Sequence, residues 1–263
     1  MQALNVSLLQ GATRWHDPEA NREYYGALIG DLHRTDLIVL PETFTSGFSN
    51  EAIHNAETME GTTVAWLRDQ AKRRDAAITG SVQLRDGDRG VFNRLLFITP
   101  DGDVSHYDKR HLFRYADEHK RYAAGDQRIV VDWRGWRICP LVCYDLRFPV
   151  FIRNRHVDGH FDYDLALFVA NWPSARTNAW RTLLRARAIE NLCYCAGLNR
   201  VGSDGNGLAY SGASAVVDFL GQPLVELGAH EQIVSASLDA DALAAHREHF
   251  PAWMDADDFE MRP

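Results

Sequence analysis

Cysteine is scarce in this chain of 263 residues, with four in all, and they stand in two close pairs, Cys139 with Cys143 and Cys193 with Cys195. At such spacings a disulfide would be strained, so reduced thiols and a cytoplasmic setting are expected. Long hydrophobic runs are also missing: none approaches the roughly 18 residues that a membrane-spanning helix needs. The opening MQALNVSLLQGATRW has neither the cationic start nor the small-residue cleavage site of a secretory signal. Positive charge is in deficit. Lys and Arg number 28 against 36 Asp and Glu, a net charge of -8, which argues against unaided binding to nucleic acid or an anionic membrane because no cation excess offsets phosphate repulsion. No repeat and no low-complexity linker interrupts the chain, so residues 1–263 are expected to form a single domain. With 46% hydrophobic and 24% charged residues, the composition is that of a globular protein with a sizeable core.

Strand and helix patterns alternate along the chain. An apolar strand at about Leu4–Leu9 precedes a helix within Pro18–His33, and a short aliphatic strand, Leu37–Leu40, is stopped by Pro41. A helix over Val64–Arg74 and a strand over Ala76–Gln83 follow. Strands at Arg94–Ile98 and Val104–Tyr107 flank the turn Pro100-Asp-Gly-Asp103, where proline presets φ and glycine permits a positive φ. In the second half, Arg128–Asp132 and Trp136–Val142 bracket a hairpin turn at Trp133-Arg-Gly135. A helix is expected to begin just after Cys143 and run through Phe148–Arg155. Then come a buried strand, Leu165–Ala170, a helix, Asn178–Leu192, strands near Cys193–Asn199, Ser214–Asp218 and Ile233–Leu238, and a short helix within Ala240–His249. Helices with hairpins among the strands imply an α/β fold with mixed sheets covered outside by helices.

Three polar side chains stand where predicted strands end: Glu42, Lys109 and Cys143. Ligands of α/β folds collect outside the carboxyl ends of strands, so these groups are candidates for one crevice. Singly, Glu42 reads as a loop carboxylate, Lys109 as part of a charged surface run, and Cys143 as one more small core residue. Together they supply a base, a fixed cation and a nucleophile, the parts that acyl transfer requires. The expected strand-to-helix corner at Cys143 would expose the sulfur to helix N–H groups and favour its thiolate. Cys193 and Cys195 read as core residues on a strand.

The segments Pro41-Glu42-Thr-Phe, Tyr107-Asp-Lys109-Arg-His-Leu-Phe and Val142-Cys143-Tyr-Asp-Leu-Arg-Phe-Pro resemble the three signature segments of the nitrilase superfamily, in its order and at its usual separations. The resemblance runs from the first strand to about Leu238. It implies a four-layer αββα sandwich, commonly paired into a homodimer or assembled into a higher homo-oligomer, in which the tail from about residue 239 to 263 would lie at the dimer interface. It gives Glu42 the role of base, Lys109 that of oxyanion stabiliser beside the Tyr144 backbone N–H, and Cys143 that of nucleophile, passing through a thioester without metal or organic cofactor. Members of the family place a second glutamate after the lysine, for which Glu118 is the candidate and Asp117 its rival.

Cys-Tyr-Asp-Leu-Arg-Phe-Pro149, Ala170-Asn-Trp-Pro173 and Arg185-Ala-Arg-Ala-Ile-Glu-Asn191 resemble most the bacterial ω-amidase branch. That branch implies 2-oxoglutaramate or 2-oxosuccinamate as substrate, with ammonia and a 2-oxo diacid as products. Tyr144 and Trp172 are then the expected neighbours of the substrate. Its carboxylate needs a cation, for which Arg147, Arg176 and Arg200 are candidates, with Arg176 first because it lies just beyond a strand's carboxyl end. An N-carbamoyl amino acid hydrolase is the alternative within this chemistry, and a catalytically silent binding protein on the same fold is the alternative outside it. The histidines at 106, 111, 119, 246 and 249 form no recognised metal-ligand spacing, and Gly202–Gly207 reads as a loop bordering the site rather than a phosphate cradle.

Overall fold

The computed structural model describes residues 2–260, so the last three residues of the expected tail lie outside the described residues. The first half contains β1 (Leu4–Gln10), α1 (Pro18–Gly30), β2 (Leu37–Val39), α2 (Thr62–Arg74), β3 (Ala77–Arg85), β4 (Val91–Ile98) and β5 (Val104–Asp108). The second contains β6 (Val131–Trp133), β7 (Trp136–Val142), β8 (His156–Val157), β9 (His160–Phe161), β10 (Leu165–Ala170), α3 (Thr177–Asn191) and β11 (Tyr194–Asn199). It continues through β12 (Val201–Ser203), β13 (Ala209–Ser211), β14 (Ala215–Val217), β15 (Pro223–Glu226), β16 (Gln232–Leu238) and α4 (Ala240–His249).

Two six-stranded sheets form, in the orders β16-β1-β2-β3-β4-β5 and β15-β14-β11-β10-β7-β6. In the first, β1, β2 and β3 run parallel while β4 and β5 each reverse direction, so β5 ends at the same edge as β2. In the second, β7, β10 and β11 run parallel. The period-2 alternation of side chains sorts each strand between two cores. Leu37, Val39, Leu95 and Phe97 belong to the cluster that joins the two sheets. Their neighbours Ile38, Leu40, Leu96 and Ile98 belong to a second cluster, with Tyr25 and Ile29 of α1 and Val64 and Leu67 of α2. On the far side α3 packs on β11 and β14 through Trp180, Leu184 and Ala188. Gly197 makes that approach possible, since a Cβ there would lie 2.6 Å from Leu184. The result is the four-layer αββα sandwich.

Local signals fix the helix starts. Asp17 caps α1 by accepting from the Ala20 N–H at 3.0 Å, with Pro18 in the first turn, and Asp239 caps α4 through the N–H groups of Asp241 and Ala242. Two expectations fail. The strand expected over Arg128–Asp132 is ordered as strand only at Val131–Trp133. More consequentially, no helix runs through Phe148–Arg155. A 3-10 segment, Cys143–Arg147, stops at Phe148, because Pro149 disfavours helical geometry at the residue before it.

Candidate active site

The carboxyl ends of β2, β5, β7 and β10 deliver Glu42, Lys109, Cys143 and Asn171 to one place between the sheets. After β2, the Leu40 N–H bonds the Thr79 carbonyl at 2.7 Å. A side chain on Gly80 would bring its Cβ within 2.7 Å of the Leu40 Cβ, so glycine is what lets β3 run this close. The chain then turns through Thr43, whose φ of 43° is left-handed and whose N–H is held by Ser81 Oγ at 2.8 Å. Lys109 is fixed on both sides of its backbone, its N–H on the Asn93 carbonyl and its carbonyl on the Gly125 N–H, each at 3.0 Å. Cys143 also has a left-handed φ, 45°, a geometry costly for a side-chain-bearing residue and characteristic of functional turns.

Asp145 maintains that turn. Its Oδ2 accepts from the Val142 N–H at 3.0 Å and from Tyr107 Oη at 2.8 Å. Its Oδ1 accepts from the His111 N–H at 3.2 Å and lies 2.7 Å from His111 Nδ1. One buried carboxylate therefore joins the segment carrying the lysine to the one carrying the cysteine. His111, stacked on Phe148 at 3.8 Å, belongs to this scaffold. No three His, Cys, Asp or Glu side chains among the described residues form a group able to hold a metal ion.

Glu42 and Lys109 are buried, at 0% and 1% exposure, so their partners decide their charge. Lys109 Nζ donates to Glu42 Oε1 at 2.9 Å and to both oxygens of Glu118 at 3.0 Å. Burial alone would disfavour the ammonium, but the attraction of Glu118 and then Glu42 outweighs it and holds the Lys109 pKa above its ordinary value. Glu118 is held in place by the Phe113 N–H at 2.5 Å, and burial pushes its carboxyl upward against the pull of Lys109. The sequence rival Asp117 is instead paired with Lys120 at the surface.

The thiolate expected at Cys143 is overturned. Burial, and after it the charge of Glu42, push this thiol well above its ordinary range, and Lys109 offsets only part of that. A single 3-10 turn supplies little dipole, while a carboxylate faces the sulfur. The resting residue is a thiol that needs a base; its Sγ donates to the Asn171 carbonyl at 3.9 Å, and Glu42 lies close enough for its charge to oppose the thiolate. Cys139 and Cys193 are fully buried, with thiols pushed by burial to about 12.

A cavity of about 180 Å³ opens onto Glu42, Lys109 and Cys143, and Tyr144, Trp172, Arg147 and Arg176 line it. The Arg147 guanidinium lies 4.8 Å from the Trp172 ring centre and that of Arg176 5.4 Å from Phe113. Neither arginine has a carboxylate partner among the described residues. Arg200 does not reach the cavity. It is buried, donating to the carbonyls of Thr13 at 2.9 Å and Ser203 at 3.2 Å, so it braces loops instead of receiving a substrate. The glycine-rich loop is the turn of the β12–β13 hairpin, and the residues just after it, Leu208 and Tyr210, line the cavity.

Sequence reasoning missed two residues. Asn93 Nδ2 donates to Glu42 Oε1 at 2.9 Å, and Asn171 donates its backbone N–H to Glu42 Oε2 at 2.7 Å. The available signal for Asn93 was a polar residue inside the otherwise apolar β4 start, Val91-Phe-Asn93. Asn171 was visible only as a polar residue following a buried strand.

A buried Glu-Lys pair beside a strand-end cysteine, between the sheets of an αββα sandwich, defines a class of cysteine hydrolases. The chain belongs to the carbon–nitrogen hydrolase family of the nitrilase superfamily, whose sequence profile matches residues 5–248. It is 51% identical to the omega-amidase YafV of Yersinia enterocolitica over 261 residues, covering 98% of this chain and 99% of that protein. It is 34% identical to the 2-oxoglutaramate amidase of Bacillus subtilis over 223 residues, covering 84% of each. Among solved structures, XC1258 from Xanthomonas campestris, a CN-hydrolase superfamily protein with an arsenic adduct in its active site, has a TM-score of 0.98 and 64% identity and covers 100% of both chains.

Proposed function

We propose that the protein is an ω-amidase that hydrolyses the terminal amide of a short 2-oxo diacid monoamide, 2-oxoglutaramate or 2-oxosuccinamate, with Glu42, Lys109 and Cys143 as its catalytic set. The observation that carries this reading is the shared cavity, lined by a thiol, its base and a buried ammonium together with two guanidiniums that have no carboxylate partner among the described residues. Glu42 takes the Cys143 proton as sulfur attacks the amide carbon. The ammonium of Lys109 and the Tyr144 backbone N–H receive the developing oxyanion. Collapse breaks the C–N bond, Glu42 passes the proton to departing ammonia, and a thioester remains. Glu42 next removes a proton from water, which attacks the thioester carbon, and the proton returns to the Cys143 sulfur as the acid leaves. Glu118 keeps Lys109 in place through two hydrogen bonds. Residues 1–263 act as one catalytic domain in the cytoplasm, in keeping with four free cysteines. The chain works as a homodimer, with the tail at its interface, where Phe250 and Met254 expose apolar surface.

The substrate's distal carboxylate loses water on entry, which is costly unless a cation replaces it. Arg176 suits that role through its planar fork. Ammonia release should give a much higher kcat/KM for 2-oxosuccinamate and 2-oxoglutaramate than for neutral butyramide. Arg176→Gln should lower the value for the acidic amides by about 30-fold or more while changing butyramide little. Equal wild-type values for acidic and neutral amides would refute the ω-amidase assignment. An unchanged preference in the variant would move the receiving role to Arg147.

A further inference from the structure

Glu42 is held at both oxygens by groups the reaction scheme does not use. Oε1 accepts from Asn93 Nδ2 at 2.9 Å in addition to Lys109. Oε2 accepts from the Asn171 backbone N–H at 2.7 Å and, at 3.4 Å, from its side-chain Nδ2. The two asparagines come from different sheets, Asn93 from β4 and Asn171 from the end of β10. Both are buried, at 1% and 5% exposure, and in each the amide oxygen is buried with no partner. An unmet buried acceptor is unfavourable, and it is the consequence of turning each NH2 toward acceptors on the Glu42 side. Asn93 Nδ2 also points at Glu118 Oε1, 3.5 Å away, and Asn171 Nδ2 donates further to the Glu42 carbonyl at 2.8 Å and Thr43 Oγ1 at 3.0 Å.

We infer that Asn93 and Asn171 are positioning residues that clamp the Glu42 carboxylate from the two sheets, fixing its direction toward Cys143. The inference rests on Glu42 being the base. Amide N–H donors stabilise a carboxylate but not the neutral acid, so a variant that loses one is expected to need a higher pH for base-assisted attack. The other titratable groups facing Glu42 are Lys109, Glu118, Cys143 and, farther out, Tyr122 and Tyr210. Of these only Lys109 favours the charged form, and it is shared with Glu118, so the asparagines supply neutral donors that no second carboxylate fully claims.

The test uses the full chain and two readouts: the pH profile of kcat/KM for 2-oxosuccinamate, and the pH dependence of Cys143 alkylation by iodoacetamide, which needs no amidase activity. Asn93→Leu keeps the branched shape and removes the 2.9 Å donor to Oε1, whereas Asn171→Leu removes only the 3.4 Å side-chain donor to Oε2 and leaves the backbone N–H. Asn93→Leu should move the acidic limb of both profiles up by about one to two pH units, with kcat falling more than KM rises, and Asn171→Leu should move it by less because its backbone N–H stays on Oε2. Asn93→Ser, which restores a smaller donor and serves if the leucine variant does not fold, should recover part of that movement. Asn154→Leu is the control, since it is equally buried but donates to the Tyr163 and Asn191 carbonyls away from the site. It should lower Tm without moving either limb. An acidic limb at its wild-type pH in folded Asn93 and Asn171 variants would overturn the clamp. A moved alkylation limb in a protein that releases no ammonia from ω-amides would leave the clamp standing and reject the substrate assignment instead.

Discussion

Cys143→Ala is expected to abolish ammonia release, with kcat/KM falling by at least about 10⁴-fold while the protein stays folded. The substitution removes only a sulfur that faces the cavity, and the left-handed turn is maintained by Asp145 through the Val142 N–H and Tyr107 Oη, not by the thiol. Circular dichroism and Tm should therefore match wild type. No thioester adduct should appear by mass spectrometry when substrate is added. The paired controls are Cys193→Ala and Cys195→Ala. These residues are fully buried, so the expected loss is in stability, from underpacking, with kcat/KM unchanged. Wild-type turnover in a Cys143→Ala preparation proven free of wild-type enzyme would reject the nucleophile. A comparable loss of chemistry in a well-folded Cys193 or Cys195 variant would show that another thiol does the work.

Lys109→Met is expected to remove activity and stability together, which separates it from the cysteine variant. Lys109 bridges Glu42 and Glu118, all three within 1% of complete burial, so its loss leaves two carboxylates facing each other without a cation. Breaking a buried pair on one side costs about 3–5 kcal/mol, roughly 6–20 °C in Tm for a chain of this size. The pH dependence has a definite sign. Glu118, already raised by burial, loses the opposing pull of Lys109 in the variant, so folding takes up protons and stability rises as the pH falls through the raised value. The Tm gap from wild type should be widest above neutrality and narrow toward pH 5. On the wild-type side, the raised Lys109 pKa contributes stability that is present below the unfolded lysine value and lost only as the pH climbs past the folded one. A Tm gap that stayed constant from pH 5 to pH 8 would show that the lost methylene packing, not the orphaned charge, explains the destabilisation. Activity should fall by about 10²–10³-fold or more, because a preorganised donor to the oxyanion is gone.

By itself, the sequence determined the parts of this protein that depend on local pattern. Alternation and turn residues located most strands of both sheets, though not β15 (Pro223–Glu226), and strand-end positions singled out Glu42, Lys109 and Cys143. Each of these signals lies within a few residues of chain, so no tertiary contact is needed to read it. Tertiary structure alone decided the charge states and the supporting cast. The helix expected after Cys143 shrank to one 3-10 turn, and the thiolate expected there became a thiol, because what folds around a sulfur decides its charge: burial first, then Glu42 from 101 positions earlier. Arg200 left the list of substrate receivers because burial sent its guanidinium to backbone carbonyls. Asn93 and Asn171 entered because their roles exist only once β4 and β10, from separate sheets, converge on one carboxylate. Hydrogen bonds and burial between residues far apart in sequence carry no local signature, and those interactions are what turn three polar strand ends into a site.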